Sequence, residues 1–114
     1  MSAEEFLPDI PDSLNMSIVF VNTDHIIEYM NSHAIEQFRK HGNLIGRSIF
    51  DCHNEKSNDK IRALFTRLQN GETEILFSET DEKRVYFTGV FDKGKQLKGY
   101  YERIEYYQTG DDDK

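Results

Sequence analysis

The chain contains one cysteine, Cys52, so no disulfide can form within it. No cluster of Cys and His has the spacing of a zinc site. A reducing compartment is therefore expected. No apolar run approaches the roughly 18 residues needed to cross a bilayer. The opening Met1-Ser2-Ala3-Glu4-Glu5 lacks the basic and apolar regions of a secretory signal. These features predict a cytoplasmic protein without membrane contact. Basic residues are also in deficit, 14 Lys and Arg against 21 Asp and Glu, for a net charge of −7. Such a chain repels phosphate backbones, which argues against nucleic-acid binding. No phosphate loop, nucleophile–base spacing or metal cluster is present, so no enzymatic activity is expected. Tryptophan is absent, and the two prolines, Pro8 and Pro11, both fall near the start.

What is present is one domain's worth of sequence, 114 residues with eight Phe and six Tyr. Pro8 and Pro11 interrupt the helical spacing of Phe6, Leu7, Ile10 and Leu14, which leaves a short turn over Pro11–Asn15 with Pro11 at its first position. The β-branched run Ser17–Asn22 predicts a strand, and His25–Met30 a second one antiparallel to it. Asn31 and Ser32 suit the cap of a short helix with Ala34, Ile35 and Phe38 inward, which Gly42 stops. Ser57 suits the cap of a longer helix, where Ile61, Leu64, Phe65 and Leu68 fall on one stripe and Asn70-Gly71 ends the pattern. Three further strands are predicted at about 73–79, 83–91 and 97–107. Strand runs on either side of a helical block indicate an α+β fold, a five-stranded antiparallel sheet with short helices and one longer helix on one face. The expected division is an acidic N-terminal segment, 1–12, a domain over 13–107 and a disordered acidic tail, 108–114.

The segment Leu44–Ser57 joins the two helical blocks and holds Asp51, Cys52 and His53. Cys52 reads first as a small buried hydrophobe, and Asp51 as an acceptor for local backbone N–H groups or a partner of His53. His25, His33 and His41 fall in turn or helix-surface positions and are expected to face solvent. Met16 and Met30 read as core filling, and Gly46 and Gly99 as backbone requirements. Tyr100–Tyr107 carries four tyrosines among charges; on an outer sheet face they would suit a dimer interface or a solvated surface.

Taken in order, Asp12–Asn22, Ile26–Asn31, Leu44-Ile45-Gly46-Arg47-Ser48 and Lys98-Gly99-Tyr100 resemble the landmarks of a PAS domain. Asp51-Cys52-His53 followed by Lys56-Ser57 resembles a PAS subgroup with a Cys-His-x-x-Lys-Ser element, some of whose members bind haem through a nearby histidine. Asn54 and Glu55 stand where that subgroup often carries proline. The resemblance implies a sensory or regulatory module with a cavity between sheet and helices. It implies His53 as the residue where haem would attach, with Phe50, Leu64, Phe65, Phe77 and Phe87 around it and Met16 or Met30 as a soft sixth ligand. No effector domain accompanies the PAS-like region, so a signal is expected to leave by association, as a homodimer or with a separate effector protein. The alternative is an apo dimerisation or scaffold module whose own side chains fill the core. The sequence does not identify a ligand.

Overall fold

Alternation along the strands builds the sheet. In β1 (Ser17–Asn22), Ser17, Val19 and Val21 are buried while their neighbours are half-exposed. β2 (Ile27–Met30), β3 (Glu74–Glu79), β4 (Lys83–Phe91) and β5 (Leu97–Tyr106) complete one antiparallel sheet in the order β2-β1-β5-β4-β3. The computed structural model describes residues 9–14 and 16–106. The acidic tail and Tyr107 lie outside that range, as do Asn15 and most of the N-terminal segment. α2 (Ser32–Gln37), the short 3-10 turn Ile49–Cys52 and α3 (Glu55–Gln69) pack against the inner face, α1 (Asp9–Asp12) lies against α2, and an exposed 3-10 turn, Arg39–His41, follows α2.

α3 forms as its stripe predicts. Ile61, Leu64 and Leu68 are buried against Ile75, Val85 and Phe87, with Phe65 at the margin. Each of these side chains contributes about 1.5–3 kcal/mol through burial. The helix begins earlier than predicted, and Ser57 is not its cap. Asn54 has extended backbone angles and its side-chain oxygen accepts the Ser57 N–H at 2.8 Å. Glu55 and Lys56, both good helix formers, then fill the first turn. Ile35 is 53% exposed rather than inward, because in so short a helix Ala34 takes the place against the sheet. β2 starts at Ile27, not His25, since His25 at φ 68° closes the turn from β1. The first short helix lies over Asp9–Asp12, so Pro11 stands within its first turn, where a missing N–H costs no helical bond.

The buried side chain of Asn31 joins four elements. Its oxygen accepts the N–H groups of Ile18 (3.0 Å) and Ala34 (2.9 Å). Its nitrogen donates to the carbonyls of Pro11 (2.8 Å) and Met16 (3.0 Å). At Gly99 the inner strands come so close that an added Cβ would meet the Val21 carbonyl oxygen at 2.4 Å.

The outer face is charged. Arg103 pairs with Glu74 and Glu105 and stacks on Tyr86, while Arg84 pairs with Glu79.

Asn31→Ala removes a helix cap and leaves buried backbone groups unpaired. It should cost about 2–4 kcal/mol of unfolding free energy in urea. Asn31→Asp keeps the accepting oxygen but turns a carboxylate toward two carbonyls, so its deficit should narrow in acid as the carboxyl gains a proton.

Candidate functional site

The interior divides into two parts. At one end, aromatic rings fill the space between α3 and the sheet. His25 lies 4.8 Å from Phe50 and 4.6 Å from Phe65 between ring centres, and Phe87 lies 5.6 Å from Tyr100. A His25 ring nitrogen, Nδ1, shares a 2.8 Å hydrogen bond with the buried Tyr100 hydroxyl. At the other end the Leu44–His53 segment roofs a cavity of about 390 Å³. Val19, Met30, Val85 and Ile104 line its sheet wall, and Leu44 and Ile49 of the roof segment complete the apolar lining. Its polar lining is Glu102, beside Val19 on the sheet wall, with Lys83, His53, Ser78, Arg47, Asp51, Cys52 and His41.

Of the six expected site residues, His53 and Phe77 line this cavity. Phe50 and Phe65 lie in the aromatic cluster, and Phe87 bridges from that cluster to Phe77 at 4.9 Å. Leu64 is buried in the core. His53 is half-buried at the end of the Ile49–Cys52 turn, and its Nδ1 donates to the Ile49 carbonyl at 3.1 Å. That bond fixes the tautomer and leaves Nε2 as the nitrogen with a free lone pair. A carbonyl therefore orients His53, rather than Asp51.

Cys52 is exposed, not a buried hydrophobe. Its thiol faces the cavity edge, where desolvation pushes its pKa up and Arg47 only partly opposes. His41 is exposed as expected, but His25 is half-buried, and so is His33, whose ring meets the Ser17 hydroxyl at 3.1 Å. The Tyr100–Tyr106 strand is not an outer aromatic row. Tyr100 is fully buried inside, and outward positions include Tyr101, Arg103 and Glu105. Met30 is buried and lines the cavity as well as the core. Among the described residues, no group of three or more His, Cys, Asp or Glu could hold a metal ion.

Sequence reasoning missed Glu102. It stands on the inner face of β5 between Tyr100 and Ile104 and is 8% exposed. Burial raises its pKa above the usual carboxylate range, while His53 and Lys83 partly oppose the rise. The available signal was a charged residue two positions from an apolar one on either side along a strand.

A family model described as the PAS domain matches residues 15–102. The chain belongs to the PAS domain family. PAS domains are typically sensory modules. Similar solved structures include the C-terminal domain of a protein from Streptococcus mutans, 24% identical, covering 100% of this chain and 91% of that one, with a TM-score of 0.77. A PAS domain from Colwellia psychrerythraea is 12% identical, with 93% and 98% coverage and a TM-score of 0.68. A sensory box sensor histidine kinase from Vibrio cholerae is 13% identical, with 92% coverage of both chains and a TM-score of 0.66. At these identities the likeness concerns the PAS fold. Comparison with curated protein sequences gives no match. No helix among the described residues is long and apolar enough to cross a membrane.

Two pH effects follow for this PAS domain. The Glu102 carboxyl ionises more freely in the unfolded chain, so its contribution to stability falls as pH rises from about 4.5. Glu102→Gln should therefore be more stable than wild type at pH 7, with the gap closing below that value in urea titrations. His25 acts in the opposite direction. Burial lowers its pKa from 6.5, Arg62 adds to the shift and Asp24 opposes it, so stability falls as pH drops below 6.5. His25→Asn, which tolerates the positive φ, should flatten that acid slope.

Proposed function

We propose that this chain is a sensory PAS module that binds a small molecule in the cavity beneath the Leu44–His53 segment and passes the event on through protein association. The observation that carries this reading is the cavity itself. At about 390 Å³ it falls within the range of small-molecule sites, and its lining combines apolar side chains with polar and charged ones. An apolar cavity of about 150 Å³ accepts benzene, so this one would hold a ligand of roughly fifteen non-hydrogen atoms. A shift of Glu102 or Lys83 on uptake would move β4 and β5, whose alternate side chains form the outer face. That face is the proposed surface for a second copy or an effector protein.

Haem is a second reading, favoured by the tautomer of His53, which leaves Nε2 available as an axial nitrogen donor. Of the two methionines, Met30 lies in the cavity lining. The size of the cavity does not fit the group. A porphyrin would stand largely outside a space of about 390 Å³ or displace the roof. When bound, haem would supply gas or redox sensing, with His53 holding the iron.

Native mass spectrometry of the purified chain tests both readings. We expect a bound mass below that of haem, lost in Val85→Phe, which fills the cavity wall. A Soret band abolished by His53→Ala would establish haem instead. A chain with no bound mass, no colour and equal stability in Val85→Phe would sink ligand binding and leave the apo dimerisation module. Sedimentation with and without the bound molecule reports whether association changes.

A further inference from the structure

A titratable group is built into the sheet wall of the cavity. Glu102 stands on the inner face of β5, with Val19 of β1 and Phe87 of β4 opposite it in register, and both of these neighbours are apolar and buried. Its side chain lines the cavity and is more than nine-tenths buried. Other titratable groups face it from each element packed around it. His53 of the roof and Lys83 of β4 favour its ionised form. Cys52 of the roof, and Tyr100 and Tyr106 on its own strand, sense its charge. Arg47 and Asp51 of the roof and His41 ahead of it complete the titratable lining, with charges of both signs. Burial outweighs the pull of His53 and Lys83 and favours the neutral carboxyl.

A cavity with polar walls and room for several waters is hydrated in solution. That water is what an ionised Glu102 has on its cavity side. An apolar occupant displaces it. The charged carboxylate then loses solvation, and the neutral carboxyl loses far less. Burial already prevails over the pull of the neighbouring cations, and an occupant extends the effect that prevails. We propose that an apolar ligand and a proton enter this site together, the proton passing from solvent to the Glu102 carboxyl, so that pH governs the response to the ligand. The proposal rests on the cavity being the ligand site and adds how that site is regulated. Affinity is highest in acid, where Glu102 is already neutral. It falls as pH rises, because each ligand must then bring a proton with it. A cationic ligand would do the reverse, holding the carboxylate ionised and releasing a proton.

The probe is propylbenzene, which carries no ionisable group, titrated into the full chain by calorimetry from about pH 5 to about pH 8 in two buffers of different ionisation enthalpy. The buffer dependence should show proton uptake of at most one per ligand, and affinity should fall by up to about tenfold per pH unit where uptake is greatest. Glu102→Gln should take up no proton through this group and should keep the acid affinity across the range, a gain of binding at high pH that a misfolded variant would not show. Asp51→Asn and His41→Asn should keep the wild-type slope. Affinity independent of pH, proton release on binding, or a slope that survives in Glu102→Gln overturns the proposal and leaves the cavity as a ligand site. Failure of propylbenzene to bind at about pH 5 overturns it as well. If Val85→Phe then also changes neither bound mass nor stability, the ligand-binding reading falls with it.

Discussion

The carboxamide of Asn31 is the point on which the helical layer is hung. A neutral side chain with two donors and two acceptor positions sits where four backbone groups from α1, the entry to β1, β1 itself and α2 converge. No other residue type offers that combination at that length, since aspartate lacks the donors and glutamine would have to buckle. Fixing α2 fixes Phe38 and the turn after it, and from there the chain runs into the roof of the cavity. The position of the roof is therefore set at the far end of β2, by a residue that touches no part of the cavity.

The aromatic cluster and the cavity share one sheet but meet opposite demands. Around Tyr100, rings of His25, Phe65 and Phe87 pack on a fully buried side chain, and the hydroxyl is satisfied by His25. Around Glu102, two residues along the same strand, side chains leave space, and a buried carboxyl group is acted on by His53 and Lys83. The Leu44–His53 segment is held at its middle by backbone hydrogen bonds to the start of β2: Ile27 N–H to the Arg47 carbonyl, Gly46 N–H to the Ile27 carbonyl and Ile49 N–H to the His25 carbonyl.

Much of this was legible in the residues. The i, i+3, i+4, i+7 stripe of α3 and the β-branched run of β1 state their partners through periodicity alone. Asn31 could be recognised as a cap, though not as a buried four-way junction, because its other partners are distant in sequence. Asn54 and Ser57 are both capping types three residues apart, and only the backbone angles distinguish them. The inward face of β5 was obscured because its tyrosines come in adjacent pairs, at 100–101 and 106–107, which gives no alternation to read. The cavity was not legible either. A void is a shortage of side-chain volume in three dimensions, and phenylalanines from several elements had first to be assigned to one end or the other.

The separation of the two interior regions bears on how this domain can change over generations. Substitutions at Ile104, Val85 or Leu44 alter the chamber while leaving the contacts among Phe50, Phe65, Phe87 and Tyr100 in place. Those three side chains also belong to the hydrophobic core, so any change in the chamber's shape draws on folding stability, and the ring contacts at the other end limit how far that loss can run.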